Sequence, residues 1–135
     1  MEKLEHIGIA VRNLDEANRL FAKLLGKEPY KTEDVESEGV RTSFFEVSGV
    51  KIELLESYRA GSAIEKFLDK RGEGIHHLAF AVSDIRQSVA DHQKAGFEPI
   101  SPEPRRGADN KLISFLHPRQ TGGVLIELCQ DIATT

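Results

Sequence analysis

The stretch Gly74-Ile75-His76-His77-Leu78-Ala79-Phe80-Ala81-Val82 decides the fold. Two histidines enter an apolar run that reads as a β-strand. Side chains alternate between the two faces of a strand. His77, Ala79 and Ala81 therefore share one face, and His76, Leu78, Phe80 and Val82 share the other. The second face is bulky and suits a core. The first carries an imidazole and two small residues, which predicts open space above the sheet.

The same pattern occurs earlier in the chain. His6-Ile7-Gly8-Ile9-Ala10-Val11 matches His77-Leu78-Ala79-Phe80-Ala81-Val82, and Val50-Lys51-Ile52-Glu53-Leu54-Leu55 matches Val124-Leu125-Ile126-Glu127-Leu128-Cys129. Each first strand precedes a helix of similar length that ends near a glycine. Self-similarity of this kind is a fold-level signal. Two copies of a strand, a helix and a group of strands make a duplicated α+β domain.

The elements follow from local patterns. Leu4 to Val11 is the first strand. Asn13 caps a helix with Glu16 three residues on. Leu14, Ala17, Leu20, Phe21, Leu24 and Leu25 form its apolar stripe, and Gly26 is its stop. Residues 31–38 are polar and acidic and read as a loop or frayed edge. Val40 to Val47 and Val50 to Glu56 are strands joined by the tight turn Ser48-Gly49. Ser62-Ala63-Ile64-Glu65 has the form of a capping box. Its helix turns Ala63, Ile64, Phe67 and Leu68 inward and ends before Gly72. Asp84 opens a further helix with Ile85, Val89 and Ala95 inward and Gly96 as stop. Residues 100–110 read as a loop. Leu112 to Leu116 and Val124 to Cys129 are the last strands, joined by Pro118 to Gly123.

Composition excludes several classes of function. At 135 residues the chain is long enough for one core. A net charge of −4 argues against a nucleic-acid surface. No apolar run reaches membrane-spanning length. The single cysteine, Cys129, excludes an internal disulfide framework. Met1-Glu2-Lys3-Leu4-Glu5 lacks signal-peptide features. The expected compartment is the cytoplasm.

The duplication also places chemistry. Each half offers a histidine early in its first strand and a glutamate in its last. Alternation sets Glu53 opposite Val50, Ile52 and Leu54, and Glu127 opposite Val124, Ile126 and Leu128. A carboxylate in a largely apolar strand is costly to bury without compensation. Two imidazoles and two carboxylates supply N and O ligands for a divalent ion. The expected ligands are His6, Glu53, His77 and Glu127, with two open positions if the ion is octahedral. His76 falls on the wrong face.

The chain resembles the vicinal oxygen chelate superfamily (glyoxalase, bleomycin resistance and dioxygenase proteins), and within it the methylmalonyl-CoA epimerases. The resemblance rests on His6-Ile7-Gly8-Ile9-Ala10-Val11, on Ser62-Ala63-Ile64 with Phe67-Leu68 before Gly74-Ile75-His76-His77, and on Phe115-Leu116-His117-Pro118 leading through Gly122-Gly123 to Val124-Leu125-Ile126-Glu127-Leu128. It implies an α+β fold in which two tandem βαβββ modules form one domain, with a curved mixed sheet around a metal site. The domain would span residues 1–131, with module one at about 4–71 and module two at about 72–130. Residues 131–135 would be a loose tail. The family's metal positions fall on the same four residues.

The resemblance further implies an isomerase that interconverts (R)- and (S)-methylmalonyl-CoA through an enolate stabilised by a divalent ion (Co, Mn, Mg, Ni or Zn). The alternative is a glyoxalase I-like enzyme acting on a thiol adduct of an α-oxoaldehyde, because glyoxalase I shares the ligand order. Glu127 is the first candidate for acid/base work. Glu46 is the second, since a family glutamate aligns with Thr42 and Glu46 shares that strand face. Arg105, Arg106 and Lys111 are candidates for holding the phosphates of coenzyme A. Small roles are expected for His117 at the acyl end and for Cys129 as a buried filler. The expected assembly is a homodimer.

Overall fold

The computed structural model describes residues 2–132. They form two compact units: residues 6–76, and residues 2–5 together with 77–132. Each module has the order strand, helix, three strands. The first comprises β1 (Lys3–Ala10), α1 (Leu14–Leu25), β2 (Lys31–Val35), β3 (Val40–Val47) and β4 (Val50–Ser57). After α2 (Ala63–Arg71) the second comprises β5 (Gly74–Ala81), α3 (Ile85–Lys94), β6 (Arg105–Arg106), β7 (Lys111–Leu116) and β8 (Ile126–Asp131). Strand order is β2-β3-β4-β1 in the first and β5-β8-β7-β6 in the second. In both, the first and last strands pair in parallel and the others are antiparallel. The expected α+β class and tandem βαβββ arrangement are therefore present.

The helix ends follow their caps. Asn13 accepts a hydrogen bond from the Glu16 N–H at 3.0 Å. Gly26 closes α1 at φ 73°, a left-handed conformation that suits glycine. Ser62 caps α2 by accepting from the Glu65 N–H at 3.0 Å. The Glu65 carboxylate reaches back one residue further than a capping box requires and accepts from the Gly61 N–H at 2.8 Å. Asp84 caps α3 by accepting from the Gln87 N–H. The β3–β4 hairpin turns on Ser48 and Gly49, both at positive φ (51° and 86°), as a two-residue turn requires.

Each unit has its own apolar core. In the first, Leu14 and Ala17 of α1 pack with Val11, Phe45 and Leu54, and Phe21 and Leu25 fill the margin. In the second, Ile85 and Val89 of α3 pack with Val82, Leu116 and Leu128. Truncating a fully buried Phe45 to Ala would cost about 3–5 kcal/mol through lost transfer energy and a cavity.

Several expectations need correction. Residues 31–35 form β2, paired antiparallel with β3. Its alternating Lys31, Thr32, Glu33 and Asp34 carry no apolar face, so its hydrogen bonds rather than its side chains make it a strand. Arg105 and Arg106 form β6 inside the expected loop, paired with Ile113 and Leu112. Leu20 and Leu24 are exposed, because they lie to one side of the stripe's centre. Ala63 and Ala95 are also exposed. Near Ala95, Phe97 packs on the core instead. The last strand is shifted, running from Ile126 to Asp131, which takes one residue of the expected tail. Residues 133–135 of that tail lie outside the described residues.

Strand β5 also differs in its packing. His77 and Ala79 are 3% and 0% exposed, while Leu78 and Phe80 on the other face are only half-buried. The space expected above Ala79 is filled by Ile113, Cys129 and Phe115. The strand phase is as expected, but the small residues there make room for protein.

Two measurements check this packing. Ser62→Ala should lower unfolding stability by about 1 kcal/mol in a urea titration, because a helix cap is lost. Cys129 is buried and its thiol is pushed up by burial, with Glu127 and Glu5 adding negative charge nearby. A folded-state pKa above the unfolded value stabilises the fold at lower pH, and that contribution fades above about pH 8.5, where an unfolded thiol ionises. In native protein at about pH 8, just below that ionisation, a thiol-reactive disulfide should label Cys129 far more slowly than in urea-unfolded protein.

Candidate metal centre and active site

Each unit builds one His–Glu pair by the same geometry. In the first, β1 and β4 run parallel with Gly8 opposite Glu53. His6 lies two residues before Gly8 on the same face, so its ring reaches diagonally to the carboxylate. His6 Nε2 is 3.3 Å from Glu53 Oε1. In the second, β5 and β8 run parallel with Ala79 opposite Glu127. His77 lies two residues before Ala79, and His77 Nε2 is 3.5 Å from Glu127 Oε1. All four residues are buried.

The neighbours repeat as well. Phe44 stands opposite Glu53 on β3, and Phe115 stands opposite Glu127 on β7. A small residue on one side and an aromatic ring on the other thus flank each carboxylate. Phe115 also meets His77 edge-on, with ring centroids 5.6 Å apart. Phe44 packs with Tyr30 at 6.1 Å. The Phe115 contact packs an apolar ring against the His77 imidazole, and all four polar groups are buried.

An imidazole nitrogen and a carboxylate oxygen bound to one ion at ordinary bond lengths sit ~3 Å apart. The observed separations of 3.3 and 3.5 Å suit such ligands before they draw in on a cation. Buried carboxylates need a compensating positive charge. A divalent ion would supply it, and N and O donors are the set such ions accept. The residues present therefore fit a divalent metal.

The other sequence-derived candidates lie elsewhere. Glu46 is exposed at the end of the β3–β4 hairpin, and its carboxylate accepts from the Gly49 N–H at 2.7 Å. Although it shares a strand face with Thr42, it is engaged in the turn. Thr42 is fully buried, with its hydroxyl 3.5 Å from the Glu33 carbonyl. Arg105 and Arg106 are exposed on β6, and Arg105 donates to Ser101 Oγ at 3.1 Å. Lys111 is buried, unlike those two. Its ammonium lies 3.9 Å from Glu5 Oε2 and also contacts Asp131 Oδ1. That places it among carboxylates rather than on a phosphate-binding surface. His76 stacks edge-on against Phe67 at 5.0 Å, away from the His77 face. His117 caps the 3-10 turn at Pro118–Gln120, accepting from the Arg119 N–H.

The duplication gives no sign of the burial of Glu5. It is 4% exposed, as buried as the ligand candidates. It sits where alternation predicts the core face of a strand, and the equivalent position in the second module is His76, so the duplication offers no matching acid. A cavity of about 330 Å³ in the first unit lies between β1 and α1, lined by Ile9, Val11, Ala17, Leu20, Phe21 and Glu73 among others. None of the four ligand candidates lines it.

Comparison with known proteins identifies the family. Residues 5–115 match the model of the Glyoxalase/Bleomycin resistance protein/Dioxygenase superfamily. The chain is 38% identical over 130 residues to the ethylmalonyl-CoA/methylmalonyl-CoA epimerase of Cereibacter sphaeroides, covering 95% of this chain and 97% of that one. It is 38% identical over 127 residues to the mitochondrial methylmalonyl-CoA epimerase of Dictyostelium discoideum, covering 93% and 76%. Among solved structures, a single-substitution variant of Streptomyces coelicolor methylmalonyl-CoA epimerase, in complex with 2-nitronate-propionyl-CoA, superposes with a TM-score of 0.92 at 37% identity, covering 99% and 97%. With a βαβββ duplication, two equivalent His–Glu diagonals and these relatives, the chain belongs to the Glyoxalase/Bleomycin resistance protein/Dioxygenase superfamily, in the company of its methylmalonyl-CoA epimerases.

Proposed function

We propose that this protein is a divalent-metal-dependent epimerase that interconverts the (R)- and (S)-forms of methylmalonyl-CoA. The observation that carries this reading is the duplicated His–Glu diagonal, His6 with Glu53 and His77 with Glu127, in a chain with epimerase relatives over nearly its full length. In this proposal His6, Glu53, His77 and Glu127 are the residues that would hold the ion. Its chemistry there is that of a Lewis acid, offsetting negative charge that develops on the substrate's acyl oxygens.

The residues supply the rest. The carbon between the thioester and the carboxylate carries a weakly acidic proton. Glu127 is the proposed base for one face of that carbon, because its carboxylate is buried and therefore poorly solvated. The Phe115 ring beside His77 excludes water from this side and holds the imidazole in one orientation. Inversion requires a proton at the opposite face. Glu46 is engaged with Gly49, so the proposal assigns that proton to solvent. Arg105 and Arg106, both exposed on β6, are the proposed partners of the coenzyme A phosphates.

The deciding experiment follows methylmalonyl-CoA in D₂O by NMR. Metal-loaded protein should introduce deuterium at the α-carbon and convert one epimer into the other. An absence of exchange would remove the proposal. Prior removal of the metal with a chelator should abolish exchange, and added Co²⁺ or Mn²⁺ should restore it. Glu127→Gln should lower kcat by about 10²–10⁴-fold, the usual worth of a positioned proton-transfer group. Glu46→Gln should leave turnover unchanged within error. Arg106→Ala should raise KM for the CoA thioester in a salt-sensitive way while kcat holds, as a phosphate contact predicts.

A further inference from the structure

The Glu127 face of the second unit carries a further charged group that the proposed chemistry does not use. Along β7 and β8 the paired residues on this face are Phe115 with Glu127, Ile113 with Cys129, and Lys111 with Asp131. The duplication supplies an internal reference. Four residues before the aromatic, and four after the glutamate, the first module has Val40 paired with Ser57. The second has Lys111 with Asp131. An ammonium thus stands where the equivalent position is apolar.

That ammonium is buried, its side chain 9% exposed, and it faces the equally buried carboxylate of Glu5. Its other partner, Asp131, is 84% exposed and so largely solvated. A buried ion pair adds little stability over a well-packed apolar pair, and its attested use is to specify geometry. Glu5 belongs to the segment 2–5, which also joins this unit through the Glu2 N–H donating to the Ala81 carbonyl at 2.9 Å. The next residue in the chain is His6.

We propose that Lys111 and Glu5 form a positioning pair for His6. Lys111 fixes the Glu5 side chain, Glu5 fixes the backbone at the point where His6 begins, and the imidazole takes its place from that backbone. Lys111 is thus a positioning residue. The inference rests on the reading of His6 as a metal ligand.

The test uses the full chain and Co²⁺, whose visible absorption reports ligand geometry. Thermal melting of the metal-free protein is recorded alongside a Co²⁺ titration. Lys111→Met should lower the melting temperature and weaken Co²⁺ binding by roughly 10- to 100-fold, the usual effect of losing a group that orients a ligand. The double variant Glu5→Gln with Lys111→Met removes both charges. It should recover the melting temperature but keep the weakened Co²⁺ binding and an altered spectrum. Lys111→Arg keeps the charge and should retain wild-type affinity. A double variant with wild-type affinity and spectrum would overturn the proposal, since Lys111 would then be structural alone. Wild-type affinity in Lys111→Met would do the same. A wild-type chain that takes up no Co²⁺ would overturn the ligand reading itself, an outcome distinct from either of these.

Discussion

The burial of carboxylates constrains the rest of this structure. Glu53 and Glu127 are each 4% exposed on strands that are otherwise largely apolar. A buried charge is tolerated only with a partner of opposite sign or a cation. That requirement selects an imidazole on the neighbouring parallel strand, two residues before the position opposite the carboxylate. It also selects a small residue, Gly8 or Ala79, at the position opposite, so that the carboxylate is not crowded. On the antiparallel side it places Phe44 or Phe115, which keeps water away. Three strands in each module therefore have their composition near the middle set by one acidic group.

The opposite faces of the same strands supply the apolar packing. Leu54 meets α1 through Leu14 and Ala17, and Leu128 meets α3 through Ile85 and Val89. Each last strand thus alternates between a helix-facing apolar side and a polar side, and a one-residue slip would exchange the two. The helix cores therefore hold the ligand candidates in register. The packing of Leu54 and Leu128 fixes where Glu53 and Glu127 point.

The two modules are not equivalent in their ionic groups. The pair of Lys111 with Glu5 occurs in the second unit, and the position equivalent to Lys111 with Asp131 in the first is Val40 with Ser57. The duplication keeps what holds the ligand candidates and varies what surrounds them. Arg41 shows the contrast on the surface. Its pKa is raised by a hydrogen bond and charge contact with Asp34, but both groups are exposed and the pair contributes little to stability. A similar pairing in a buried setting has a geometric consequence instead.

Sequence alone determined the strand phase, the duplication and the helix caps. These depend on nearest neighbours along the chain: alternation for His77 and Glu127, a side-chain oxygen at Asn13 or Ser62, a glycine at position 26. Phase assigns residues to a face, but it does not say what covers that face. Tertiary packing decided that Ala79 lies under Ile113 and Cys129, that Lys111 is internal, that Glu5 is buried and that Glu46 belongs to a turn. It also made a strand of Lys31–Val35, whose polar side chains carry no strand signal, because β3 offered an edge of unpaired backbone groups. Burial and backbone pairing are properties of segments far apart in the chain, and only the folded structure brings those segments together.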